Sequence, residues 1–115
     1  MSDEAYRTII DALVQACRVG QGQIGPRRAR AGVWNVNATP ENLADQHSVN
    51  EFLRRLDPSD REVLAGMLEG EFVAGVHQTL VVLHEARLEP FDEGYEGTPF
   101  HDFVGRLAGW DWPPR

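Results

Sequence analysis

The side chains able to do chemistry are few. Four histidines, His47, His77, His84 and His101, are joined by a cluster near the C-terminus. That cluster runs from Tyr95 through Glu96, His101 and Asp102 to Trp110 and Trp112. It sets an aromatic group, an imidazole and two carboxylates beside a predicted helix N-terminus. If the chain has a ligand pocket, its expected lining is Tyr95, His101, Asp102 and Trp110, with His77 and His84 opposite. His77 and His84 stand seven positions apart, so a helix puts them on one face but about 10.5 Å apart along its axis. One metal could join them only with ligands from a second element, and the one-turn histidine pair of zinc proteases is absent. The plainer alternative is that the histidines are hydrogen-bonded at the core edge and that the aromatic cluster closes the bottom of a helical core.

Other candidates fail on mechanism. Gly20, Gly22 and Gly25 have dinucleotide-loop spacing but follow a predicted helix, where that loop needs a strand before it and a helix after it. Asp92, Glu93 and Glu96 lack the ordered spacing of a calcium loop. Arg27, Arg28 and Arg30 read as a solvated basic segment. Cys17 sits in an apolar stripe, as a small buried hydrophobe does, and a buried thiol is poorly reactive. With a single cysteine the chain forms no internal disulfide. No nucleophile–base pair, phosphate loop or metal-ligand spacing is present, so no catalytic residue, metal or cofactor is assigned.

The elements that must position these residues are helical. Tyr6, Ile9, Ile10, Leu13, Val14 and Cys17 recur at three- and four-residue spacing, predicting a helix over 3–18. Gly20 to Pro26 is expected to end it and open a long ordered connection through Trp34. Thr39-Pro40-Glu41 reads as a cap with proline at the first helical position, starting a helix that ends near Leu56. Asp57-Pro58 repeats that signal. From there to Arg87 the pattern stays helical, with a break expected at Gly70. The second piece, 71–87, is apolar on nearly every side, which predicts a central buried helix. Thr98-Pro99 caps a last helix carrying Phe100, Phe103, Val104 and Leu107, and the two terminal tryptophans are expected to dock on the body. The result is an all-α bundle of four or five helices around the 71–87 segment, one domain over residues 1–115.

The string Thr98-Pro99-Phe100-His101-Asp102-Phe103-Val104-Gly105-Arg106-Leu107, followed by Gly109-Trp110-Asp111-Trp112-Pro113, resembles the ending of a family of small uncharacterised bacterial proteins. Val76-His77, His84-Glu85 and Pro90-Phe91 fit the same pattern. The resemblance implies a bacterial source and an all-α domain, and it brings no activity with it.

Charge narrows the class of partner. The net charge is −7, and all eleven basic residues are arginine. Residues 57–115 carry 12 acids against 4 Arg. Such a surface repels phosphate backbones, so nucleic acid is not an expected partner. The longest apolar run is too short and too polar to span a membrane, and no basic-then-apolar leader begins the chain. The expected compartment is therefore the cytoplasm. The leading reading is a non-catalytic binding module, inhibitor- or immunity-like, for a partner with a basic surface. Two alternatives stand beside it: a small-ligand or metal-binding protein or enzyme using the His/Asp cluster, and a self-associating homodimer that buries Trp34, Trp110 or Trp112.

Overall fold

A computed structural model describes residues 3–95 and 97–114; Ser2, Glu96 and Arg115, and with them the Ser2 cap and the Glu96 carboxylate, lie outside the described residues. The described chain is all-α. Helix α1 (Asp3–Arg18) leads through a 3-10 turn (Gln21–Gln23) into α2 (Ile24–Ala31), followed by α3 (Ala44–Arg55), α4 (Pro58–Glu85) and α5 (Pro99–Leu107).

Helix α1 has the predicted bounds, with acids in its first turn and Arg18 in its last, complementing the helix dipole. The predicted long connection after it is corrected: residues 21–31 are helical. Gly25 and Pro26 fall in the first turn of α2, where a proline costs no hydrogen bond because those N–H groups have no partner inside the helix. Gly22 is needed there for contact. A Cβ on it would stand 2.7 Å from the Phe72 ring and 3.0 Å from the backbone of Ala16 and Cys17. Only residues 32–43 remain as loop, and Asn50 orders its start. Asn50 Oδ1 accepts from the Trp34 and Asn35 amides, and its Nδ2 donates to Asn35 O.

The Thr39-Pro40 start is also corrected. Thr39 Oγ1 does accept from the Asn42 amide, as a cap would, but the chain then turns through Leu43 at φ 63° and α3 begins at Ala44. The cap closes a separate turn. At α4 and α5 the signals hold: Asp57 accepts from Asp60 N, Thr98 accepts from His101 N, and proline takes the first helical position of each.

Helix α4 is one continuous element of 28 residues, so the break predicted at Gly70 does not occur. At 1.5 Å per residue it is about 42 Å long, and the molecule measures 53 × 27 × 19 Å. Two cores are strung along it. Toward its C-terminal end, α1 and α5 close over Tyr6, Ile10, Val14, Cys17, Leu80 and Phe103. Toward its N-terminal end, α2 and α3 enclose Ala29, Leu53 and Ala65. Helix α4 is central, as expected, but not enclosed: only Ala65 and Leu80 are buried on it, and Val63, Met67 and Val82 are more than half exposed. With a core at each end but on one side only, its other side meets water.

Candidate functional site

The C-terminal cluster is a polar and aromatic latch between the two ends of the chain. Asp102, on the first turn of α5, is 1% exposed. Its Oδ2 accepts from the Tyr6 hydroxyl and from the Tyr95 amide, each at 2.5 Å. Burial, first, and the Asp102 carboxyl beside it push the Tyr6 phenol well above its ordinary range. Tyr6 is thereby held protonated, as a donor rather than a nucleophile or base.

Arg7, one position on, faces the other wall of the latch. Its guanidinium lies 4.7 Å from the Tyr95 ring centre and 5.1 Å from that of Trp112. Nη1 donates to Pro113 O at 3.1 Å, and Nε stands 3.1 Å from Asp3 Oδ2 without hydrogen-bond alignment. Buried Nε and Nη2 find no hydrogen-bond partner. The adjacent Tyr95 and Trp112 rings, with the Asp3 carboxylate, give the cation its compensation.

A turn further along α1, Asp11 ties down the tail. Its two oxygens accept from Arg106 Nε at 2.7 Å and from the Trp112 indole N–H at 2.9 Å. Arg106 also donates to Trp110 O, and Arg18 caps the end of α5 through Leu107 O at 2.5 Å. Trp112 then packs edge-on to Tyr6, Tyr95 and Trp110. The tail docks as the terminal tryptophans suggested, with Asp11 and Arg106 as the polar anchors.

A sequence profile matches residues 1–114, nearly the whole of this chain, and its family is described as one of unknown function, DUF6547. The chain belongs to that family. No curated protein and no solved structure matches it.

The six residues proposed from sequence divide among three places. Tyr95 and Asp102 meet in the latch. His77 and His84 flank the Phe100 ring, with ring centres at 5.3 and 5.8 Å, and His84 Nδ1 lies 3.1 Å from Phe91 O. His101 is exposed, between one depression of about 450 Å³ that Asp102 and Trp110 also line and another of about 430 Å³ shared with His77. Trp110 packs against Gly105 and Trp112. Among the described residues no three His, Cys, Asp or Glu side chains come together as metal ligands would.

Sequence reasoning missed Tyr6, Arg7, Asp11 and Arg106. One signal was available: Asp3, Arg7 and Asp11 recur every four residues, an acid–base–acid row on one face of α1. Elsewhere, the arginines read as a solvated segment sit on α2, where Arg30 forms a two-pronged pair with Glu62 and Arg28 lies 5.4 Å from the Trp34 ring. That hydrogen-bonded pair lowers the Glu62 carboxyl from its usual range. The Cys17 thiol is pushed up by burial and by Glu69, which favours the unreactive form.

Proposed function

We propose that this chain is a non-catalytic interaction module that receives a basic protein partner, in a bacterial cytoplasm. The observation that carries the reading is where the side chains are spent. Of the chemically capable groups, Tyr6, Asp102, Arg7, His84 and Cys17 are engaged inside the chain, while His101 is left at the surface. The longest helix, by contrast, leaves Val63, Met67 and Val82 on the surface at 63%, 63% and 54% exposure. Apolar side chains displayed along a rigid rod, on a chain of net charge −7, suit protein contact better than turnover of a small molecule. No helix of the described chain is long and apolar enough to cross a membrane.

Acidic charge around an apolar contact speeds association with a basic partner, and salt screens it. The test is capture with the tagged full chain at low and at high ionic strength, followed by direct titration of the partner retained. The expected outcome is a partner with a basic surface whose affinity falls as salt rises. A partner bound with the same affinity at every salt concentration, or no specific partner at either, would overturn the reading.

A further inference from the structure

One seam of α4 is only half covered. Arg61, Leu64, Ala65, Leu68 and Phe72 recur at three- and four-residue spacing, and α2 with its preceding turn lies along them: Gly25 approaches Leu68 and Gly22 approaches Phe72. The same spacing continues through Gly75, Val76, Thr79, Val82, Leu83 and Ala86. No helix covers this second half. There α1 and α4 leave between them an apolar groove of about 300 Å³ lined by Ile9, Leu13, Val76, Thr79 and Leu83, with Phe91 at its foot.

Three features fit a helix lying in this groove. The bare stretch from Gly75 to Ala86 is about three helical turns long. Gly75 and Thr79 are exposed, and a Cβ on Gly75 would meet nothing within 4 Å, so another backbone can come close. The lining carries no charge, whereas the flanks are acidic: Glu71 and Glu85 border the seam on α4, and Glu89 and Asp92 border Phe91, against Arg87 alone. That charge pattern disfavours a second copy of this chain, whose own flanks carry the same acids, and favours a basic occupant.

We infer that the α1–α4 groove docks an amphipathic helix of another protein, with an apolar stripe at helical spacing and Lys or Arg on its flanks. The helix would continue the line of α2 and cover the second half of the seam. This inference rests on the interaction-module reading and adds the place and the chemistry of the partner.

The experiment uses the full chain and two designed helical peptides with the same Leu/Ala stripe, one flanked by Lys and one by Glu. Affinity is read by fluorescence anisotropy and location by amide chemical shifts. The Lys peptide should bind at least tenfold tighter than the Glu peptide and shift amides around Leu13, Val76 and Leu83. Thr79→Glu, at an exposed position, should weaken it at least tenfold, whereas Ala74→Glu, exposed on another face of α4, should change it less than twofold. Equal affinity for both peptides, shifts centred on Met67, or indifference to Thr79→Glu would each overturn the groove assignment. So would a homodimer, seen by sedimentation, that Thr79→Glu dissociates. A cellular partner that binds in a salt-sensitive way yet ignores Thr79→Glu would overturn the groove alone and leave the module reading standing. Failure to find any partner would remove both.

Discussion

At the scale of single residues, the latch turns on Asp102. Replacing it with alanine strands the buried Tyr6 hydroxyl, at about 1–3 kcal/mol, and the half-buried Tyr95 amide, at about 1 kcal/mol. Asp102→Ala should therefore lose roughly 2–4 kcal/mol in urea unfolding, and a loss below about 1 kcal/mol would show that water satisfies both donors. Tyr6 supplies a pH signature. Its folded-state pKa is raised, so the folded chain keeps this proton at a pH where the unfolded chain, with a tyrosine pKa near ~10, has begun to lose it. The unfolded state then binds fewer protons, and stability falls as pH rises above about 10, by at most roughly 1.4 kcal/mol per unit for one group. Tyr6→Phe should flatten that alkaline slope while lowering stability at neutral pH. An unchanged slope would place the titration elsewhere. Only half of this site was legible in the sequence. Tyr95 and Asp102 stand out because they sit within one short cluster, but Tyr6 is 96 positions from Asp102 and reads locally as one more apolar residue of α1. The partner of a buried carboxyl is chosen by tertiary packing, which local spacing does not encode.

At the scale of elements, caps were the dependable signal and glycines the misleading one. Asp57 and Thr98 start α4 and α5 as their sequences predict, because a side-chain oxygen answers an amide three residues on whatever the rest of the fold does. Gly70 was expected to break a helix that passes straight through it. A glycine costs only about 1 kcal/mol in a helix interior, and packing at Leu68 on one side and at Phe72, Val73 and Val76 on the other outweighs it. Residues 20–26 depart from their local signal in the same way: glycines and a proline favour a connection, yet here they build a turn and the start of α2. Two substitutions separate these roles. A Cβ at Gly70 meets nothing within 4 Å, so Gly70→Ala should raise stability by about 0.5–1 kcal/mol. At Gly22 a Cβ collides with the Phe72 ring and the α1 backbone, so Gly22→Ala should cost about 1–3 kcal/mol. Thermal melts of the two variants should move in opposite directions; a destabilised Gly70→Ala would mean that α4 needs its glycine to bend.

At the scale of the whole molecule, the all-α architecture was legible and the division of its core was not. Apolar positions on nearly every side of 71–87 argue for an enclosed helix, and in the fold Leu80 alone of its large apolar residues is buried while Val82 is 54% exposed. The chain's radius of gyration of 17.8 Å compares with about 13 Å typical of a domain of this length. The cause is the division of the core. Ile10, Leu80 and Phe103 belong to one cluster, Ala29, Leu53 and Ala65 to another, and α4 runs through both. The second cluster has only three fully buried residues, two of them alanines, and closes around a loop, so it should open at lower free energy than the first, which the latch also secures. Native-state hydrogen exchange should then find α3 and the first turns of α4 exchanging faster than α1, α5 and the segment around Leu80. Leu53→Ala removes a side chain that is 1% exposed, and such truncations cost about 2–5 kcal/mol. It should accelerate exchange in α2 and α3 by at least roughly 30-fold, the equivalent of 2 kcal/mol, with a much smaller change in α1 and α5. Equal acceleration in all five helices would mean that the long helix couples both cores into one cooperative unit. The mechanical isolation that the split core implies would then be absent.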